Sequence, residues 1–211
     1  MKTELLISTL AQDNAPRWGF TRTVAVALAA GCLVAASLFI VAMGPRADFA
    51  EAVHTTRFLF KFVVTILLAI LATTFVHRYS RPGTNLGRIG LALLIPPGLL
   101  ICAVIAELLL VPRDLWLTKL IGSNSRFCLT LIPLLSVGPL AFLLMALRKG
   151  APSNPGVAGA IAGLASSGIA ATFYAANCFD DSPLFVAFWY PLAISIVVAA
   201  GYVAGRKYLR W

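Results

Sequence analysis

Charge is what this sequence has least of. Asp, Glu, Lys and Arg make up only 12% of its 211 residues, and none of them falls near the middle of a long apolar run. Histidine is nearly missing, with two copies, and the four cysteines include no Cys-x-x-Cys pair. Each shortage excludes something. With 60% hydrophobic residues the chain is too apolar for a water-soluble core, where apolar content stays nearer half. The absence of mid-run charge argues against a proton or ion carrier, which keeps ionisable groups inside the membrane. The missing Cys-x-x-Cys pair argues against a membrane thiol–quinone oxidoreductase. Kinked spans keep a small transporter or channel in view, but the spans show no polar path for it.

Long apolar runs are what the sequence does have. Six of them, at 23–43, 58–76, 89–111, 127–147, 157–176 and 184–204, match or approach the ~20 residues that a helix needs to cross a hydrocarbon core. The fold class expected is therefore all-α: a polytopic six-transmembrane-helix bundle occupying 19–211, preceded by a short segment at 1–18. The first run exceeds a signal-peptide core and no clear small-residue cleavage site follows it, so it reads as a retained span. Pro96-Pro97, Pro133, Pro139 and Pro191 are expected to kink their spans, and Gly159-Ala-Ile-Ala-Gly163 to allow close helix packing.

The placement of the basic residues gives an orientation. With the N-terminus inside, 11 of the 17 Lys and Arg fall on the inner side and six on the outer. Of the eight acidic residues, only Glu4 and Asp13 are inner, so the whole excess of +9 lies inside. This is the asymmetry of a cytoplasmic N-terminus, with anionic headgroups as counter-charge rather than nucleic acid. An even number of spans returns the C-terminus to the same side.

On that topology Asn177-Cys-Phe-Asp-Asp-Ser-Pro183 is the outer loop between spans five and six. Ser182 and Pro183 make a good helix start, and Asp180 and Asp181 suit its positive dipole end. Cys178 is left over. Cys128, two residues after Arg126, lies in the first turn of span four and in nearly the same plane. Arg126 and the helix end favour a thiolate at Cys128, while the two aspartates disfavour one at Cys178. Spacing alone leaves open whether the two thiols meet. A metal site made of Cys178, Asp180 and Asp181 lacks zinc-like spacing. Cys32 and Cys102 are mid-span and read as packing. Trp189 and Tyr190 also read as packing, and Lys61 and Glu107, near the outer ends of spans two and three, could pair or snorkel. In the first segment, Leu6, Ile7 and Leu10 form an apolar strip suited to a partner's groove or to a lipid surface.

Three stretches carry a resemblance: KTELLISTLAQD at the start, ALRKGAPSNPGVAGAIAGLASSGIAATFYAANCFDDSPLFVAFWY, and the closing GRKYLRW. Nearly end to end, the chain resembles the NrsF-type (negative regulator of sigma F) six-span membrane anti-sigma factors. The resemblance implies a bacterial inner-membrane regulator with no enzymatic activity and no cofactor, bound to an extracytoplasmic-function sigma factor. It implies sigma-factor binding by 1–18, at Leu6, Ile7, Leu10 and Asp13. It also implies oxidant or heavy-metal sensing by Cys128 and Cys178 in a stress response, with Arg126, Asp180, Asp181, Ser182 and Pro183 as the supporting loop.

Overall fold

The computed structural model describes residues 19–79, 87–150 and 152–209, together with Ser8. Leu6, Ile7, Leu10 and Asp13 lie outside the described residues. Among those described there is no strand. Six helical stretches are long and apolar enough to cross a membrane, as the run lengths require.

Five of the six spans are built around one helix each: α1 (Phe20–Ala42), α3 (Thr56–Tyr79), α7 (Ser125–Leu147), α8 (Pro155–Ala175) and α9 (Pro183–Tyr208). The third span is the exception. It breaks into α4 (Gly87–Ala92) and α5 (Ile95–Leu110), with Pro96 and Pro97 inside the first turn of α5. A proline lacks the N–H that would bond to the preceding turn, so a pair of them favours a fresh start over continuation. Helix α7 runs on through Pro133 and Pro139, and α9 through Pro191, without a break. Two loops are themselves folded: α2 (Phe49–Ala52) follows α1, and a 3₁₀ turn (Arg113–Leu115) with α6 (Trp116–Ile121) precedes α7.

Helix α8 is the central column. Within its apolar window 72% is enclosed by the other helices, against 17% for the third span. Its residues explain this, because glycine, alanine and serine on all sides let neighbours approach the backbone itself. A Cβ at Gly159 would sit 2.1 Å from the Gly201 carbonyl of α9, and one at Gly168 would sit 2.9 Å from Ala69 of α3. Helix α1 instead docks on α7, where a Cβ at Gly31 would meet Pro139 and one at Gly138 would meet Val34. Two buried apolar clusters result. One includes Ala72, Leu143, Ala162 and Leu209 at the end that carries the C-terminus. The other, at the opposite end, encloses Ile132, Tyr174, Phe185 and Tyr190 with Cys128 and Cys178.

Candidate functional site

The segment 177–183 is the hub of one end of the bundle, and each polar side chain in it reaches a different span. Asp180 turns back to α7. Its Oδ2 accepts from the backbone N–H groups of Ser123 (2.9 Å) and Asn124 (2.8 Å) and from Asn124 Nδ2 (3.1 Å). A carboxylate there satisfies the N–H groups of the turn leading into the helix that carries Cys128, and its charge suits the positive end of that helix. Gly122, just before, has φ +57°, and a Cβ on it would lie 2.7 Å from the Asp180 carboxyl carbon. Only glycine combines that backbone with that approach.

Asp181 faces the opposite way. It pairs with Lys61 of α3, a side chain with no solvent exposure, and with Arg46 of the loop after α1, 2.9 Å from Nη1. Lys61 Nζ also donates to the Cys178 carbonyl at 2.8 Å. Arg46 holds Asp48 through two 2.6 Å bonds, donates to the Cys178 carbonyl at 3.3 Å, and lies over the Phe179 ring at 4.6 Å. Paired guanidinium and carboxylate shift each other: Asp48 raises the Arg46 pKa, and Arg46 lowers that of Asp48. The backbone joins in, since Arg46 N–H donates to the Ala176 carbonyl at 3.1 Å and Asn177 Nδ2 to the Gly44 carbonyl at 3.0 Å.

Ser182 occupies the position before α9, with Pro183 first in the helix, but its hydroxyl makes no cap bond. It donates instead to Glu107 Oε1 of α5 at 3.3 Å. Glu107, 4% exposed, is also paired with Arg57 of α3 (2.7 Å) and Lys119 of α6 (3.4 Å). So Lys61 and Glu107 do not pair with each other; each is claimed by a different residue of the same loop. Trp189 Nε1 adds a bond from α9 to the Leu120 carbonyl at 2.8 Å. Trp189 is therefore a tether, while Tyr190 is core.

Both cysteines lie beneath this knot, reduced and without solvent exposure, in one cluster with Tyr174 and Tyr190. Tyr174 donates its hydroxyl to the Asn124 carbonyl at 3.2 Å, joining the end of α8 to the cap of α7. The Cys178 thiol points to the Asp180 carbonyl at 3.7 Å. Burial pushes its pKa above the ordinary thiol range, and Lys61 pulls against that shift. The neighbouring carboxylate, the cause expected from sequence, is a smaller influence than desolvation. Arg126 is exposed whereas Cys128 is enclosed, so the two do not share the electropositive, accessible setting that their spacing suggested. Asp180 and Asp181 are spent on the turn before α7 and on buried cations. Among the described residues no three His, Cys, Asp or Glu side chains converge as a metal site would require.

The residues that sequence reasoning missed are Arg46, Asp48, Arg57, Lys119, Ser123, Asn124 and Tyr174. Arg46 gave a signal in retrospect: it stands in a short turn between apolar spans, where a lone arginine needs a partner.

Comparison with known proteins covers nearly the whole chain. The family model described as negative regulator of sigma F matches residues 10–211. The anti-sigma-F factor NrsF of Caulobacter vibrioides (strain NA1000 / CB15N) is 34% identical over the full length of both chains. The probable anti-sigma-F factor NrsF of Azospira oryzae (strain ATCC BAA-33 / DSM 13638 / PS) is 32% identical, again over the full length of both. No solved structure matches the chain. A family match that omits only the first nine residues, with relatives a third identical from end to end, means that the chain belongs to the family of negative regulators of sigma F.

Proposed function

We propose that this protein is an inner-membrane anti-sigma factor that holds an extracytoplasmic-function sigma factor at the membrane and releases it when Cys128 and Cys178 are modified. The segment 1–18 is the sigma-binding arm, on the cytoplasmic side where the basic residues concentrate, and the loop 177–183 faces outward. The observation that supports this most is the joint enclosure of two cysteines, Cys128 on α7 and Cys178 in the very loop that ties the spans together. An oxidising periplasm makes such a thiol pair a usable sensor.

The chemistry conserves atoms and electrons. Peroxide takes two electrons and two protons from the thiols, one sulfur–sulfur bond forms, and two waters leave. A thiophilic cation instead displaces both protons and bridges the sulfurs. Either change replaces two buried thiols with a linked pair that the closed cluster must rearrange to hold, because disulfide geometry is narrow. Cys128 rides on α7, and α7 is the helix against which Gly31 and Val34 of α1 pack. A displacement of α7 therefore passes directly to the span that bears the N-terminal arm. A shift of a few kcal/mol between two packings is enough to change sigma-factor occupancy by orders of magnitude.

Serine at Cys128 or at Cys178 should abolish induction of a sigma-dependent reporter by peroxide and dichromate while leaving repression intact. A normal response in both variants would overturn the sensing claim. Deletion of 1–14 should abolish capture of the sigma factor in a pull-down; retained capture would move the binding site elsewhere.

A further inference from the structure

Between α3, α5, α8 and α9 runs a lateral groove of about 670 Å³, with walls that include Leu68, Pro97, Leu164 and Val198. It exists because α5 stands away from the bundle, burying only Pro96, Leu100 and Glu107. Two of the hydroxyls along it are already used internally: Thr65 donates to the Lys61 carbonyl and Ser195 to the Leu192 carbonyl. At the C-terminal end of α9 the groove reaches Tyr202 and Val203, and there it adjoins a recess of about 330 Å³ shared by those residues with Arg206 and Lys207. A third, polar recess of about 420 Å³ lies across Arg206, formed with Ser153 and Asn154. Arg206 and Lys207 are exposed and make no ion pair among the described residues, and no acidic side chain lines any of the three spaces.

We infer that this is a binding site for one anionic phospholipid, with an acyl chain in the groove and the phosphate against Arg206 and Lys207. Charge complementarity and shape favour this occupant. A basic pocket at a helix end between spans selects acidic headgroups, and the largely apolar channel leading from it suits hydrocarbon. A helix from a second copy, about 10 Å across, would exhaust 670 Å³ in under two turns. The site lies at the end of α9 opposite Cys178 and supports α9 where it clasps α8 through Gly201 and Gly205.

The test is native mass spectrometry of the full chain, delipidated in detergent and offered dioleoyl phosphatidylglycerol, dioleoyl phosphatidylcholine or glycerol phosphate. One phosphatidylglycerol per chain should be retained, the other two far less. Neutralising Arg206 and Lys207 (R206Q/K207Q) should weaken retention roughly 30-fold, at about fivefold per charge near a membrane surface. R206K should keep most of it, and Ala199→Trp, which fills the groove, should lose it with both charges in place. Equal retention of phosphatidylcholine, a glycerol phosphate adduct as persistent as the lipid's, indifference to both sets of substitutions, or a dimer mass in place of a lipid adduct would each overturn the assignment.

Discussion

Lys61 is fully enclosed near one end of a membrane-spanning helix, where Asp181, the Cys178 carbonyl and the face of Phe58 answer its charge. Replacing Asp181 with Asn should leave two poorly exposed cations, Lys61 and Arg46, without their shared counter-ion. Breaking a buried pair costs about 3–5 kcal/mol, and the low end is expected because Asp181 keeps 20% of its surface. The thermal unfolding midpoint in detergent should fall by several degrees, and Asp181→Glu should recover part of it; an unchanged midpoint for D181N would refute the central place given to that pair. Cys178 offers a second reading at the same scale. Its pKa is raised in the folded state, so the neutral thiol favoured there contributes its stability below the unfolded thiol range, near pH 8.5. That contribution declines as pH climbs past it. Alkylation of Cys178, with the other three cysteines replaced, should accordingly stay slow through pH 8.5 and accelerate only above; a midpoint at or below 8.5 would contradict the burial described. Sequence placed both cysteines at one end of the bundle correctly, because run lengths fix where a helix starts. It could not supply the partners of Asp180, Asp181 and Glu107, which lie as far as 135 residues away and are chosen by packing alone.

At the scale of elements, the spans were legible because hydropathy tracks helix length in a bilayer, and boundaries read from it fall within four residues of those observed. The loops were not. The helices α2 and α6 are too short to be held by local propensity and owe their form to contacts such as Trp116 Nε1 to the Val111 carbonyl and Trp189 Nε1 to the Leu120 carbonyl. The small-residue pattern in span five did forecast close packing, and it can be tested by contrast. Gly159→Val should wedge α8 from α9 and abolish a stable fold in detergent, since even a Cβ would come within 2.1 Å of a carbonyl oxygen. Gly98→Ala, with no atom within 4 Å, should leave the midpoint level or higher by up to about 1 kcal/mol in stability, the usual gain in helix propensity. Equal effects would mean that α8 and α9 are not in backbone contact at Gly159 and Gly201.

At the scale of the whole molecule, the spans differ in how many neighbours hold them. Span one meets the bundle mainly through α7, whereas α8 is gripped by α9, α3 and α7 together. This division sets how the protein can be made. Helix α8 is the least hydropathic of the six spans and the most enclosed, so lipid alone is a poor home for it. A chain ended after residue 176 should therefore leave that helix unintegrated and accessible to proteases, until α9 is supplied, even as a separate polypeptide. Biogenesis would then carry its own checkpoint: a nascent chain has no settled topology in its last third until the final hairpin closes, and quality-control proteases have until that moment to remove it.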